Sequence, residues 1–313
     1  MSTDPGALAP GYLLPLCFGV TVVMQCSFFA VAFLCQFDKV TDLAGTLNFL
    51  VLALLSLVVQ GIYSTRTIVV TAFVVVWALR LGSYLLIRVL NRGKDERFDQ
   101  MRGNCLNFFG FWVFQIFWVF VVSTPVMLVN SGDDAVDVAA FGTASDVLGT
   151  VLWVIGFVIE AVADSSKDAF YRNKENRGKL LCSGVWKYSR HPNYFGEIVC
   201  WTGVFLLSAA TFVGDQKWFA VGVVSPLMTF ILLMFLSGIP LAEERYDTRF
   251  GAQPFYLEYK KSTSPVIPFP PSIYRELPMV IKQWLFFELP MYSVRLRSIQ
   301  AEQSEHPYYQ STS

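Results

Sequence analysis

The sequence predicts an all-helical protein that crosses a membrane about seven times, and three observations carry this prediction. Of the 313 residues, 54% are hydrophobic and only 15% are charged, whereas soluble domains carry about 25% charged residues. The mean hydropathy is positive, at +0.47, as it is in integral membrane proteins. Apolar stretches close to the roughly 20 residues that a bilayer requires recur along the whole chain.

These apolar stretches define seven candidate spans, which are separated by polar loops. The second and the fifth span are short, and polar residues interrupt the second. No polar stretch is long enough to form a separate soluble domain, so the sequence predicts one integral-membrane domain over residues 1–313, with a polar and disordered tail at 298–313. The predicted spans are residues 12–37, 46–60, 67–90, 106–129, 147–164, 198–213 and 218–241.

Lysine and arginine are concentrated in alternate loops, which predicts the orientation of the chain because basic loops face the cytosol. The opposite loops hold only Arg66 and Lys217, together with an acidic stretch at residues 131–146. We therefore expect an N-terminus outside the cytosol and a cytosolic C-terminus. The basic set is Lys39, Arg92, Lys94, Arg97, Arg102, Lys167, Arg172, Lys174, Arg177, Lys179, Lys187 and Arg190.

Several function classes are not indicated. The formal net charge is zero, so the charge balance gives no sign of nucleic-acid binding. The six cysteines are scattered without a CxxC pair, and His191 is the one histidine outside the tail, so we expect neither a disulfide framework nor a metal site. The sequence has no GxGxxG and no GxxxxGK[ST] motif, so a soluble-type nucleotide fold is not predicted.

Ionisable residues inside the spans predict a polar pocket. Each costs about 2.5–3.5 kcal/mol at the bilayer centre, so such residues usually line a cavity. Arg80 and Tyr84 lie one helical turn apart in the third span, and Glu160 and Asp164 lie one turn apart in the fifth. The alternative for Asp164, which lies near the end of its span, is that the side chain reaches the interface.

Hydrogen-bonding groups are densest at residues 187–203, which read KYSRHPNYFGEIVCWTG. An apolar run follows, and basic residues precede it. A phosphate-bearing cofactor requires such cations, with arginine giving forked hydrogen bonds and lysine a point charge. The alternative is a solvated turn that only caps the next helix. The candidate phosphate ligands are Arg172, Arg177, Lys179 and Arg190.

The same stretch resembles the signature of the steroid 5α-reductase C-terminal domain, in the run from Asn193 to Glu197 followed by Trp201 and Gly203. Weaker matches in the same order extend the resemblance over residues 79–271. It implies a seven-helix membrane bundle of the endoplasmic reticulum that uses NADPH to reduce a carbon–carbon double bond conjugated to a ketone. The weaker matches are Leu90-Asn91-Arg92-Gly93, Asp164 with Arg172, Gly184-Val185-Trp186, Tyr246, Phe250, Tyr256 and Ile267-Pro268-Phe269.

The resemblance implies roles for individual residues. Asn193 is expected to bind an amide or sugar, Asp164 a hydroxyl or amide donor, and Glu197 to orient the site. Arg80 or Tyr84 is expected to polarise the carbonyl of a hydrophobic substrate, and Tyr84 could also donate a proton. The implied cofactor-binding set is Glu160, Asp164, Arg172, Arg177, Lys179, Arg190, His191, Asn193, Tyr194 and Tyr246.

Two departures keep other functions open. Steroid reductases carry a glutamate in the second span, whereas the polar residues here are Asn48, Ser56 and Gln60, so the substrate class widens from steroids to other isoprenoid or fatty molecules.

A weaker resemblance links the chain to isoprenylcysteine carboxyl methyltransferases and implies S-adenosylmethionine as the alternative cofactor. A non-catalytic lipid-binding membrane protein is the third hypothesis. The residues that would hold the methyl donor are His191, Tyr194, Glu243 and Arg245.

Overall fold

The structure is a computed structural model that describes residues 10–35, 41–61, 63–92, 105–131, 140–212 and 216–305. Within these ranges the regular structure is helical, apart from one isolated bridge between Ser189 and Ser264. The α-helices are α1 (Pro10–Leu34), α2 (Thr41–Gln60), α3 (Thr65–Arg92), α4 (Cys105–Val122), α5 (Thr124–Asn130), α6 (Ala144–Arg172), α7 (Pro192–Ala209), α8 (Gln216–Ile231), α9 (Ile239–Phe250), α10 (Pro254–Ser262), α11 (Pro271–Glu276), α12 (Met279–Phe286) and α13 (Val294–Glu305).

Six helical segments in the described part of the chain are long and apolar enough to cross a membrane, so the chain is an integral membrane protein. The helix at the predicted sixth span, α7, is not among them. It begins at Pro192 rather than at residue 198, and its first turns therefore include Asn193 and Glu197, which lower its mean hydropathy. The six segments are Gly11–Leu34, Leu43–Gln60, Thr65–Leu90, Cys105–Val122, Ala144–Arg172 and Gln216–Phe250.

Three further boundaries differ from the sequence prediction. The predicted span at 106–129 divides at Ser123, because Pro125 in the first turn of α5 has no N–H to donate. Helix α6 continues to Arg172, well beyond residue 164. Helix α13 continues through Glu305, so residues 298–305 are helical where the sequence predicted the start of a disordered tail.

Part of the predicted charge asymmetry lies outside the described residues. This is the case for residues 36–40, 93–104 and 132–139, and for residues 306–313 of the predicted tail. The backbone of Arg92 is described but its side chain is not. The residues concerned are Lys39, Lys94, Arg97, Arg102, Asp133, Asp134 and Asp137.

The chain divides into two compact units. The first unit comprises residues 1–157 and 199–229, and the second comprises residues 158–198 and 230–313. The divisions fall within α6, α7 and α8, so these helices contribute residues to both units.

Aromatic rings form the centre of the first unit. The ring of Trp77 in α3 lies 5.3 Å from that of Phe49 in α2 and 5.0 Å from that of Trp201 in α7, between ring centroids. All three side chains are buried. Edge-to-face contacts of this kind add about 0.5–1.5 kcal/mol per pair beyond the burial of apolar surface. The first unit is therefore organised around a packed aromatic core.

Neutral and charged polar side chains connect parts of the first unit. The amide of Asn130, which is fully buried, donates to the hydroxyls of Ser56 at 2.8 Å and Thr71 at 3.1 Å. At the start of α3, the guanidinium of Arg66 forms a forked contact with the carboxylate of Asp146, with two distances of 2.8 Å. These contacts satisfy polar groups that would otherwise be buried without partners.

Helices α6 and α7 approach each other closely inside the first unit at two glycines. A Cβ atom built at Gly203 would lie 2.6 Å from the carbonyl oxygen of Gly149 and 2.7 Å from the backbone nitrogen of Trp153. Only a residue without a side chain leaves room for this backbone contact.

The second unit consists of short helices connected by turns. A π-helical turn, Leu232–Leu236, follows α8, and α9 to α13 come after it in order. An apolar cluster of Met234, Ile239, Val266 and Tyr292 forms one part of its interior. The other part is charged, and it contains several of the residues that the sequence predicts as a cofactor-binding site.

Candidate functional site

The segment that leads into α7 is fixed by contacts with a distant stretch of the chain. The N–H of Arg190 donates to the carbonyl of Ser264 at 2.8 Å. The hydroxyl of Ser189 donates to the carbonyl of Val266 at 2.7 Å. Pro192 then opens α7, a position that needs no N–H donor and that suits the fixed φ of proline. The motif therefore enters the helix in one defined orientation.

Arg190 in the second unit is only 3% exposed. Its Nε donates to Glu243 at 2.9 Å, and its two Nη atoms donate to the Glu288 carboxylate at 2.8 and 3.0 Å. Nη1 also donates to the carbonyls of Lys260 and Thr263 at 2.9 and 2.8 Å. Burial acts to lower the pKa of Arg190, but the two carboxylates outweigh it and raise the pKa well above its usual value.

This engagement differs from the phosphate-binding role predicted for Arg190. A phosphate ligand would have to compete with two carboxylates and two carbonyls for the same N–H groups. The structure instead places Arg190 at the centre of a buried ion network, where it holds the start of α7 against α9, α10 and the turn after α12.

Glu243 is the matching anionic centre and is 1% exposed. Besides Arg190, it contacts Nε2 of His191 at 2.7 Å and the ammonium of Lys260 at 2.9 Å. Lys260 also pairs with Asp247 at 2.7 Å. Buried charges are tolerated when they are paired and hydrogen-bonded in this way.

His191 is held as a neutral donor within this network. Burial lowers its pKa below the usual value, although the hydrogen bond to Glu243 acts in the opposite direction. The neutral ring must then carry its proton on Nε2 to donate to the carboxylate. The ring stacks with those of Tyr194 and Tyr246, at centroid distances of 5.5 and 6.4 Å. Three of the predicted cofactor-binding side chains are thus adjacent.

Buried tyrosines complete the network. The hydroxyl of Tyr256 donates to Asp247 at 2.6 Å, and that of Tyr274 donates to Glu288 at 2.7 Å. Burial, together with the nearby carboxylates, raises the pKa of Tyr256 and that of Tyr274, so both phenols stay protonated and act as donors.

Sequence reasoning missed most of these partners. Glu243 was considered only as a ligand of a methyl donor, and Asp247, Lys260 and Glu288 were not considered. A usable signal exists for two of them, because Glu243 and Asp247 lie one turn apart on the same face of α9. Glu288 lies in the turn after α12, where no periodicity marks it.

A small pocket opens beside the network, and aromatic rings and charged groups line it. The ammonium of Lys167 lies over the ring of Trp186, 4.8 Å from its centroid, and 5.8 Å from that of Tyr246. The hydroxyl of Tyr259 donates to the carbonyl of Trp186 at 2.6 Å. The lining residues are Leu180, Leu181, Trp186, Arg190, Glu243, Tyr246, Tyr256 and Tyr259.

Asn193 carries a buried acceptor. Its Oδ1 is shielded from solvent and accepts no hydrogen bond from the described residues. Leaving such a group without a partner costs about 1–3 kcal/mol. Glu197 lies one turn further along the same face of α7. A ligand that offers an N–H donor would satisfy Asn193.

The other predicted cofactor-binding residues differ in burial. Glu160 and Asp164 are buried in the part of α6 that belongs to the second unit. Arg172 is exposed and pairs with Asp168 at 2.6 Å, and Arg177 and Lys179 are exposed in the turns that follow.

The two predicted carbonyl-polarising residues belong to the first unit. The guanidinium of Arg80 lies 5.7 Å from the centroid of the Phe157 ring, and that of Arg88 lies 5.7 Å from the centroid of the Tyr84 ring. Arg80 and Tyr84 are one turn apart on α3, as predicted. Among the described residues, no group of three or more His, Cys, Asp or Glu side chains is arranged to hold a metal ion.

The helices and the buried network define an integral membrane protein with a built polar site in its second unit. A family described as "Protein of unknown function (DUF1295)" matches residues 28–263. The chain belongs to this family, and its resemblance to the steroid 5α-reductase superfamily is confirmed.

Three curated relatives extend the comparison. An uncharacterised protein of Schizosaccharomyces pombe is 25% identical over 184 residues, covering 50% of this chain and 52% of the relative. The 3-oxo-5-alpha-steroid 4-dehydrogenase 1 of Rattus norvegicus is 31% identical over 121 residues, covering 39% and 40%. A probable O-methyltransferase of Ustilaginoidea virens is 30% identical over 66 residues, covering 21% and 23%. The chain thus spans about half or less of the length of these relatives. No solved structure matches the chain significantly.

Proposed function

We propose that the protein is a membrane-embedded oxidoreductase that uses NADPH to reduce a carbon–carbon double bond conjugated to a ketone in a lipid-like substrate. Membership of the family and the similarity to a rat steroid dehydrogenase support this class of reaction. The observation that carries the proposal is the buried Oδ1 of Asn193, which accepts no hydrogen bond from the described residues.

The chemistry of this acceptor fits a nicotinamide. The carboxamide of that ring offers N–H donors, and an amide oxygen shielded from solvent pairs well with such a donor. Tyr194 follows Asn193 directly, and its ring stacks on that of His191. Asn193 would bind the carboxamide, and Glu197 would orient it from one turn away.

The bound cofactor would supply a hydride to the β-carbon of the substrate, and the remaining steps fall to the chain's own residues. As the carbonyl oxygen of the substrate gains negative charge, Arg80 would stabilise it electrostatically. Tyr84, one turn away on α3, would then donate the proton that completes the reduction. Glu160 and Asp164 would bind polar groups of the cofactor from α6.

The finer topology is part of the same proposal. Helix α7 would cross the membrane as a seventh span in addition to the six apolar segments, with the N-terminus outside the cytosol and the C-terminus inside it. Such an arrangement is expected for the endoplasmic reticulum, where the cytosol supplies NADPH. Exposed Arg172, Arg177 and Lys179 would then be accessible to the phosphate groups.

Ligand-dependent unfolding of the detergent-purified protein tests this proposal. NADPH at about 100 times its dissociation constant should stabilise the protein by about 2.7 kcal/mol. Asn193→Ala should remove most of this gain, whereas Asn173→Ala, at an exposed position in the same unit, should not. Stabilisation by S-adenosylmethionine with no response to NADPH would refute the reductase proposal.

A methyltransferase is the second candidate. The similarity to a probable O-methyltransferase favours it, and so does the pocket, because aromatic rings beside Glu243 suit a positively charged sulfonium. His191, Tyr194, Glu243 and Arg245 would hold S-adenosylmethionine in that case. A protein that responds to neither cofactor but binds lipid would correspond to the third hypothesis, a non-catalytic lipid-binding protein.

A further inference from the structure

Lys167 is a cation that forms neither an ion pair nor a hydrogen bond with any described residue. It lies in α6, one turn before the helix ends at Arg172. The rings of Trp186 and Tyr246 hold its ammonium at 4.8 and 5.8 Å from their centroids. The buried cations of the neighbouring network, Arg190 and Lys260, each contact carboxylates directly.

Aromatic rings alone do not balance this charge. A cation–π contact contributes about 0.5–2 kcal/mol, whereas removing an ammonium from water costs several kcal/mol. Asp164 is the carboxylate that acts on Lys167 through space, but the two residues form no ion pair. The environment of Lys167 therefore favours the arrival of a further anion.

A second cation lies close in the chain to one of these rings. Arg245 on α9 directly precedes Tyr246, whose ring centroid lies 5.8 Å from the Lys167 ammonium, and the two cations act on each other as like charges. Arg245 is exposed and forms no ion pair among the described residues. An anion that contacts both cations would offset their mutual repulsion.

We propose that Lys167 and Arg245 form an anion-binding site next to the Trp186–Tyr246 pocket, and that its ligand is a phosphate group of the cofactor. This assignment rests on the proposed function, and it adds a positioning residue, Lys167, that the motif does not include. An ammonium is a compact point charge with three donors, which suits a phosphate oxygen.

Ligand binding by the full-length protein in detergent tests the site, with inorganic pyrophosphate as a probe that does not depend on the cofactor. Lys167→Met keeps the stem against the rings and removes the charge. It should weaken the binding of pyrophosphate and of NADPH by roughly 10- to 100-fold. Lys167→Arg should retain most of the affinity. Lys174→Met, at an exposed lysine in the following turn, should bind both ligands as the wild type does.

A comparison of NADPH with NADH identifies which phosphate group of the cofactor binds at Lys167. If Lys167→Met weakens NADPH but leaves NADH unchanged, the anion is the 2′-phosphate. If it weakens both equally, the anion is the diphosphate. If S-adenosylmethionine binds instead and loses affinity in Lys167→Met, the site holds a carboxylate and the methyltransferase takes the place of the reductase.

The failure of this proposal can be distinguished from the failure of the proposed function. If the wild type binds pyrophosphate through Lys167 but does not bind NADPH, the anion site stands and the reductase proposal falls. If NADPH binds equally well to the wild type and Lys167→Met, the reductase proposal stands and the role of Lys167 is refuted. A wild type that binds none of these anions overturns the site.

Discussion

The two units are stabilised by different kinds of contact. In the first unit, stacked and edge-on rings such as Trp77 and Trp201 form the core. Neutral groups such as Asn130 connect the helices, and one buried ion pair joins Arg66 to Asp146. In the second unit, Arg190, Glu243 and the residues around them are buried as charges. Apolar packing tolerates substitutions of similar volume, whereas a buried charge requires one particular partner. Substitutions in the charge network of the second unit should therefore lower the stability of the protein more, and depend more on the residue introduced, than substitutions in the core of the first unit.

The largest effect is expected in the charge network. Arg190→Met would leave Glu243 and Glu288 without their shared cation, and removing one partner of a buried ion network costs about 3–5 kcal/mol. Denaturant unfolding in detergent measures this loss. Arg172→Met is the matched control, because Arg172 pairs with Asp168 at an exposed position and such pairs contribute about 0–1 kcal/mol. Similar losses in both variants would show that the network does not stabilise the second unit.

A smaller effect is expected from overpacking in the first unit. The Cβ of Gly203→Ala would come within 2.6 Å of the Gly149 carbonyl oxygen, and forced packing of this kind costs about 1–3 kcal/mol. Thermal unfolding measures the change. Gly110→Ala is the control, since a Cβ there meets no atom within 4 Å and the substitution should gain up to about 1 kcal/mol in helix propensity. Equal stability of the two variants would argue against the close approach of α6 and α7.

The smallest effect is a dependence of stability on pH. Because the pKa of His191 is lowered in the folded protein, the unfolded chain binds the proton more readily. The contribution of the neutral ring is therefore complete above the unfolded pKa of about 6.5 and is lost as the pH falls below it. Melting temperatures between pH 5 and pH 8 measure this loss.

His191→Gln keeps a donor for Glu243 and removes the titrating group. Its melting temperature should therefore depend less on pH between pH 5 and pH 8 than that of the wild type. An unchanged pH dependence would assign the effect to another group.

The first unit was more predictable from sequence than the second. Long apolar stretches marked α1 to α4, α6 and α8, because a membrane span depends on local composition. The ends of these helices were less accurate. Helix α6 runs on to Arg172, because residues such as Lys167 and Arg172 limit an apolar stretch but have good helix propensity.

The network of the second unit could not be predicted in the same way. Its motif is recognisable, but the sequence does not indicate that Arg190 contacts Glu243 and Glu288, which lie 53 and 98 residues away. No local pattern specifies which distant carboxylate approaches a given arginine. The orphaned Oδ1 of Asn193, by contrast, lies within the motif that the sequence had singled out.

The separation between Arg190 and Glu288 also has a consequence for biosynthesis. Ribosomes add about 5–20 residues per second, so the 98 residues between the two partners take roughly 5–20 s to be translated. During this interval Arg190 and Glu243 have been synthesised, whereas the second carboxylate partner of Arg190 is still missing. A nascent chain that stalls before Glu288 would therefore contain only one of the two carboxylates that hold this guanidinium in the finished molecule.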